Sequence, residues 1–349
     1  MRLFADDSSL FIKVRNIEDT QVQLTDDLDQ ITNWAWQWKM EFNPDINKQA
    51  IEVIFSHKNK KPVHPPLFFN GIPVKRETYT KHLGFILDER LNFRKHIQEK
   101  IKKANQGLGL LKFLSKYTTR PVLDKMYKMY VRPHLDYGDV IYHDQIKESM
   151  QLLESVQYQA ALIVTGCWKG TSRIKVYEDL GWESLSERRR FGRLSFFYQI
   201  KNDLAPKYLA DRVRDTPVNI TKRYSNSFFP YCKTHWDILD ASIKEVPTLS
   251  QFKSALLKKI RLPPRTYFNV TDKLGNRRLA QLRVGLSDLR DHRKNHHFLN
   301  CPVATCACSQ GNETTEHFLL ECRRFSTNRI VLMASLSRIL PSTDLTGFP

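Results

Sequence analysis

Acidic residues are in short supply in these 349 residues: 37 Asp and Glu stand against 55 Lys and Arg, a formal net charge of +18. That excess suits a polyanionic partner, and it equally fits a soluble protein with well-solvated basic faces. No apolar run approaches the ~20 residues that a membrane span needs, so no membrane is expected among its partners. Arg2, Asp6 and Asp7 interrupt any apolar core of a secretory signal. There is no internal repeat and no long low-complexity tract. Cysteine is scarce outside one place. Cys167 and Cys232 stand alone, whereas Cys301, Cys306, Cys308 and Cys322 fall within 22 residues. Without an export signal, such clustering points to a metal site rather than disulfides, and to a reducing, intracellular compartment. A chain of this length buries a sizeable core and holds two or three domains.

The charge is unevenly placed. Residues 1–50 carry five basic and nine acidic side chains; residues 81–132 carry thirteen basic and four acidic. An acidic patch beside a basic stretch suits a site that handles metal cations and a phosphate backbone together. The pattern of elements changes with the charge. Residues 8–14, 50–55 and 82–87 read as strands, and Asn70-Gly71 within FFNGIPV signals a hairpin. Residues 19–42 repeat apolar side chains at Val22, Leu24, Leu28, Ile31, Trp34 and Trp38, the spacing of an amphipathic helix that ends at Asn43-Pro44. Beyond residue 90 strand signals fade. Helical periodicity runs through 93–117, 121–131, 147–165, 185–202, 248–260 and 274–291, with Gly107 and Gly109 weakening the first of these. The polar, turn-rich stretch near 212–232 reads as a linker or long loop.

Three groups of residues carry possible chemistry. Asp6 and Asp7, in FADDSSLF, are neighbouring carboxylates at a turn. Such a pair holds divalent metals for phosphoryl transfer, in which one ion activates the attacking hydroxyl and the other steadies the leaving group. Aspartate is also common in turns for backbone reasons alone. The basic middle sets Lys81, Arg94, Lys95, Lys100, Lys102, Lys103 and Lys112 among Phe85, Phe93, Phe113, Tyr117, Tyr127 and Tyr130. Lysine and arginine neutralise phosphates and aromatic rings stack on bases; the plainer alternative is aromatics in a core beneath a solvated lysine face. At the end of the chain, Cys306 and Cys308 are followed after eight residues by His317 and after four more by Cys322. Three sulfurs and one imidazole meet the tetrahedral demand of zinc. Cys301 competes with Cys306, and His296 or His297 are further donors. His317 and Cys322 lie five apart, off the common face of a regular helix, so the helix is expected to bend or end near Cys322.

These stretches occur in an order that resembles the C-terminal part of the reverse transcriptase of non-LTR retrotransposons, in particular jockey-like elements. FADDSSLF (4–11) resembles the catalytic hairpin of that polymerase palm. NWAWQWKMEFNPDINKQAIEVIF (33–55) is similar to the family's Trp-rich helix and the strand after it. KHLGFILDERLNFRKHI (81–97) resembles the palm–thumb junction, with Leu83 and Gly84 at the turn that would place the primer end. RPHLDYGDVIY (132–142) and LLESVQYQAALIVTG (152–166) resemble thumb and connection helices. LGWESLSERRR (180–190) and RYSNSFFPYCKTHWDIL (223–239) resemble segments beyond the thumb. The H-x4-C spacing resembles retroviral zinc knuckles, with C-x-C in place of the usual C-x-x-C. In HWDIL, Asp237 stands where the family normally has Asn, and Trp236 is expected to be core.

The resemblance implies an α+β fold in four parts. A partial palm of mixed sheet plus helix covers 1–90. A helical thumb and connection cover 91–210, a linker and helical region 211–295, and a Cys/His knuckle-like end 296–349. It implies that Asp6 ligates both magnesium ions with Asp7 as the weaker partner, that an RNA template and an RNA/DNA duplex are bound by shape and backbone, and that zinc is structural. It implies a nuclear site of action. Fingers, the strand with the first catalytic aspartate and an endonuclease are expected upstream of FADD. The expectation is therefore a fragment of an RNA-directed DNA polymerase, inactive alone. The alternative is a non-enzymatic RNA- or DNA-binding protein that uses the basic thumb and the knuckle.

Overall fold

Asn16 accepts the Glu18 amide through its side chain and starts a helix at Ile17–Gln37. This local choice sets the pattern of the first region: one long helix among short hairpins. The structure is a computed structural model that describes residues 2–4, 7–14, 16–43, 50–58, 65–142, 147–214, 222–225, 227–260 and 272–337. The chain divides into two compact units. The first comprises Met1–Lys102, Tyr137–Leu152 and Thr216–Tyr231; the second comprises Lys103–Asp136, Leu153–Asp215 and Cys232–Pro349. Each is described by itself.

The first unit carries all the strands found among the described residues. Where the resemblance implies a palm of mixed sheet plus helix, these strands pair two by two. β1 (Arg2–Phe4) runs antiparallel to β2 (Asp7–Ser9), with Phe4 opposite Asp7. β3 (Ile51–Glu52) pairs in parallel with β6 (Lys75–Arg76). β4 (Phe68–Phe69) and β5 (Ile72–Pro73) close on Asn70 and Gly71, both at positive φ, as a type I′ hairpin demands. β7 (Tyr79–His82) and β8 (Phe85–Asp88) close on Leu83 (φ 47°) and Gly84 (φ 77°) in the same way. The long strand read at 8–14 is shorter here, since residues 10–14 have no regular structure. In the Ile17–Gln37 helix Leu24, Leu28 and Ile31 are half-buried, whereas Val22, Trp34 and the C-cap residue Trp38 stay exposed.

An aromatic cluster holds the β7–β8 hairpin. The Phe85 ring stacks on His96 at 4.7 Å and lies 5.2 Å from Tyr137. Tyr142 lies against His96 at 5.5 Å between ring centroids. The Tyr137 hydroxyl donates to the Leu83 carbonyl at 2.5 Å. Gly138 (φ 72°) sits so close to Phe85 that an added Cβ would lie 1.8 Å from the ring, so only glycine fits there. His96 is buried and accepts the Ile86 amide on Nδ1 at 3.3 Å. Burial first, and then the Lys100 charge, lower its pKa to about 4, opposed by the Tyr137 backbone. The unfolded chain therefore takes up a proton near pH 6.5 that the folded chain refuses until about 4. Stability should fall as pH drops through that window and level off below it. Urea midpoints at pH 7.5 and 5 test this: the difference shrinks in His96→Gln if the account holds, and is unchanged if another group is responsible.

The second unit is helical. The helix Arg94–Leu114 enters it with Ala104, Leu108 and Leu111 buried along one face. Gly107, which looks like a weak point in the sequence, is required: an added Cβ would meet the Tyr130 carbonyl at 2.7 Å. The helix read at 121–131 is instead Arg120–Met126 followed by a π-helical turn, Tyr127–Val131, and a further helix Arg132–Asp136. Pro133 supplies a reason. It has no N–H for the carbonyl four residues back, and its ring crowds that carbonyl, which favours a wider turn. The helices Lys147–Thr165, Arg173–Leu180, Leu185–Lys201 and Leu249–Ile260 follow. Ser184 and Glu187 form a capping box at the start of the third of these.

Within the 212–232 stretch, Lys222–Ser225 is helical and Phe228 opens the helix Phe228–Asp237. Trp236 is buried against Phe197 and Phe252, which bears out its reading as core. Phe252 is fully buried and stacks on Tyr198 at 4.5 Å. Phe252→Ala should cost about 3–5 kcal/mol of stability, read as a lower denaturation midpoint with an unchanged slope.

Candidate functional site

The C-terminal Cys/His region builds its geometry from a tight turn and a wide one. An isolated bridge joins Thr305 to Asn312. Within it the Cys306 amide donates to the Gly311 carbonyl at 2.8 Å, and the Ser309 amide to the Cys306 carbonyl at 2.9 Å, with Ser309 at φ 59°. This knuckle turns Cys306 and Cys308 to one side. The second half is a π-helical turn, His317–Glu321. Its i→i+5 bond runs from the Cys322 amide to the His317 carbonyl at 2.7 Å. A regular helix would separate residues five apart; the wider turn brings Cys322 back over His317. Helical structure of this kind ends at Cys322, as the spacing suggests. The Arg329 guanidinium secures the turn by donating to the carbonyls of Leu319 and Cys322 at 2.8 and 2.9 Å.

The outcome is a quartet. One ligand atom from each of Cys306, Cys308, His317 and Cys322 lies within 4.8 Å of the others. Cys306 and Cys322 sulfurs are 3.7 Å apart, and the Cys308 sulfur is 3.1 Å from His317 Nε2. A zinc–sulfur bond of about 2.3 Å gives a tetrahedral edge near ~3.8 Å, so the sulfur pair already stands at the required separation. The donor set of three sulfurs and one imidazole is that of a closed structural site. Glu321 lies 3.3 Å from His317 Nδ1, where it can fix the tautomer that leaves Nε2 free for a metal. Burial pushes the Cys306 thiol up to about 11. The Gln310 amide first, helped by neighbouring side chains, brings Cys308 down to about 7. His317 is raised, chiefly by Cys308.

Cys301 does not join the group. Its sulfur faces the carbonyls of Val303 and Arg290 at 3.5 and 3.7 Å. Among the described residues no other group of three or more potential ligands converges.

The paired aspartates are placed only in part. Asp7 begins β2, and its backbone pairs with Phe4 of β1. Asp6 lies outside the described residues.

The basic residues fall on two elements. Lys81 is exposed on β7, and Arg94, Lys95, Lys100, Lys102, Lys103 and Lys112 all belong to the Arg94–Leu114 helix. Lys95 and Lys100 cap rings inside the first unit, lying 3.0 Å over Tyr79 and 3.8 Å over Tyr137. Arg94, Lys102, Lys103 and Lys112 are exposed.

The quoted stretches around 132–142, 152–166 and 180–190 supply a buried network rather than a reactive centre. Tyr127 donates to Gln157 Oε1 at 2.7 Å, Gln157 donates to the Glu183 carbonyl at 2.9 Å, and Arg188 bridges Gln157 and Asp136. Glu154 accepts from the Tyr177 hydroxyl and the Leu185 amide at 2.8 and 3.0 Å. Trp182 stacks on Tyr127 at 3.9 Å. Burial raises the pKa of both Tyr127 and Tyr177. These contacts fix helix against helix.

Comparison with known proteins gives the setting. A stretch of 181 residues is 26% identical to the probable RNA-directed DNA polymerase from transposon X-element of Drosophila melanogaster, covering 51% of this chain and 19% of that protein. The chain's curated relatives are RNA-directed DNA polymerases of Drosophila non-LTR retrotransposons. The transposon BS protein of the same species is 23% identical over 188 residues, 53% of this chain and 20% of its own. The mobile element jockey polymerase is 24% identical over 166 residues, 47% and 18%. The chain thus spans about a fifth of the length of the curated relatives it matches. No family model matches, and no solved structure matches. Among the described residues no helix is long and apolar enough to cross a membrane.

Proposed function

We propose that these residues form the end of the palm, the thumb and connection, and the terminal knuckle of an RNA-directed DNA polymerase of the jockey-like non-LTR class. The observation that carries this is the likeness to three Drosophila element polymerases over about half the chain. In this reading Asp6 and Asp7 hold magnesium at the catalytic hairpin. The exposed side chains of Lys81, Arg94, Lys102, Lys103 and Lys112 meet the backbone of a template–primer duplex. The Cys/His quartet of Cys306, Cys308, His317 and Cys322 holds one structural zinc and presents its loop to RNA.

These 349 residues, taken by themselves, should bind the duplex without extending a primer. Two-metal chemistry needs further carboxylates and an enclosing nucleotide pocket, which the resemblance assigns to residues preceding the pair. The test is primer extension on an RNA template with magnesium, run beside a binding assay on the same duplex. Binding without extension agrees with the proposal. Extension that disappears in Asp6→Ala would show that the pair already works here. Absence of binding would remove the polymerase reading. A second reading, a nucleic-acid binder without catalysis, is favoured by one observation: the complete Cys/His quartet lies within this chain.

A further inference from the structure

Two large aromatic side chains stand open at the end of the Arg94–Leu114 helix. Phe113 is 59% exposed and Tyr117 is 71% exposed, and their ring centroids are 5.5 Å apart. Neither supports the core of the second unit, which in this helix is built by Ala104, Leu108 and Leu111 on the opposite side. Rings of this size in water expose apolar surface to no structural benefit. The charge around them has one sign. Lys112 and Lys116 flank the pair and are exposed. Lys273, also exposed, reaches across from the helix Lys273–Val284 to donate to the Ser115 carbonyl between them. No acidic residue occurs in the sequence between Glu99 and Asp124.

We propose that Phe113 and Tyr117 form a stacking platform for unpaired bases, with Lys112, Lys116 and Lys273 taking the phosphates of the same strand. The charge selects the ligand class. A bare apolar pair would suit a protein partner or a second copy, but three ammonium groups beside a 24-residue stretch free of acidic residues suit a polyanion, the neighbouring carboxylate, Asp272, being engaged as the cap of the Lys273–Val284 helix. Base faces are the apolar surfaces that such a polyanion carries. Paired bases are already stacked inside a duplex, so open rings at a helix end favour a single strand. The site takes any base, because every base has a π-face. It goes beyond the duplex contact proposed above, and it rests on the same nucleic-acid reading.

The full chain is titrated by fluorescence anisotropy with a labelled twelve-nucleotide oligouridine and, separately, with an RNA/DNA duplex. A bromouridine-substituted oligomer is then photo-crosslinked and the modified peptide identified. The double variant Phe113→Ala/Tyr117→Ala should weaken oligouridine binding by about tenfold or more while leaving the salt slope and duplex binding nearly unchanged. Lys112→Ala/Lys116→Ala should weaken binding and lower the salt slope, since fewer counterions are released. Tyr117→Phe should bind as the parent does, because stacking needs the ring and not the hydroxyl. Crosslinks should fall within residues 112–118. The proposal is overturned if the double variant binds the oligomer normally, if crosslinks map elsewhere, or if the variant instead changes the oligomeric state. In each of those cases duplex binding can persist and the polymerase reading stands; loss of all nucleic-acid binding in the parent chain would remove both.

Discussion

Replacing Cys322 with serine should remove one equivalent of zinc per chain and unfold the region from Cys301 to the end of the described residues. The expected effect is large because this region has little else to hold it. Its buried side chains are few, chiefly Cys301, Ala304, Cys306, His317 and Cys322 themselves. The following helix, Ser326–Ser337, leaves Ile330, Val331 and Leu332 exposed. Structural zinc in small units supplies apparent binding energies of about 10–16 kcal/mol, and that energy is folding energy. Zinc content by mass spectrometry and amide hydrogen exchange of residues 301–337 measure the two halves of the prediction. Cys301→Ser provides the contrast: its sulfur lies outside the quartet and should leave zinc stoichiometry at one. If Cys301→Ser loses zinc while Cys322→Ser keeps it, the ligand set is wrong.

Asp179→Ala should destabilise the second unit by about 3–5 kcal/mol, because it strands a buried guanidinium. Asp179 and Arg120 are both almost wholly buried. Arg120 Nη2 lies 2.9 Å from the Asp179 carboxylate and also donates to its backbone carbonyl at 2.9 Å. Arg283 reaches the other carboxylate oxygen at 3.2 Å from a more exposed position. One aspartate therefore ties the helix Arg120–Met126 to the helices Arg173–Leu180 and Lys273–Val284. Removing the acid alone leaves the positive charge without compensation in a poorly solvated place. Replacing both partners, as in Arg120→Met/Asp179→Leu, should recover most of the loss. Equilibrium denaturation of the two variants decides it. A double variant as unstable as Asp179→Ala would mean that packing, and not charge, dominates there.

Much of this molecule is legible in its sequence where a periodic pattern and a covering core agree. The helix at Lys147–Thr165 begins and ends where the apolar period does. Asn70-Gly71 makes its hairpin because both residues tolerate the positive φ of a type I′ turn. The Cys/His quartet is legible because ligand chemistry restricts spacing more tightly than helix propensity does. Other features depend on contacts that a single stretch does not contain. Gly107 lowers helix propensity locally, yet packing against Tyr130 requires it. Pro133 marks an interruption, but the π-helical turn before it depends on the helices on either side. The single helix read at 274–291 is two, because Gly285 adopts a left-handed conformation (φ 77°) and ends the first at Val284. The apolar repeat of the Trp-rich helix is regular, but Trp34 and Trp38 remain exposed. Periodicity predicts a face; it does not supply the surface that covers it. The buried network of Asp136, Glu154, Gln157 and Arg188 was equally hidden, since polar residues scattered over fifty positions carry no periodic signal.

The most direct test of the account is the salt dependence of RNA/DNA duplex binding by the full chain. The exposed basic side chains of the Arg94–Leu114 helix, if they meet phosphates, release counterions, and the logarithm of affinity should then fall linearly with the logarithm of salt. Charge reversal at Lys102 and Lys103 should flatten that slope by about one to two phosphate contacts. A chain that does not bind the duplex at low salt, or whose binding ignores both salt and these two lysines, would contradict the assignment of this basic helix to nucleic acid.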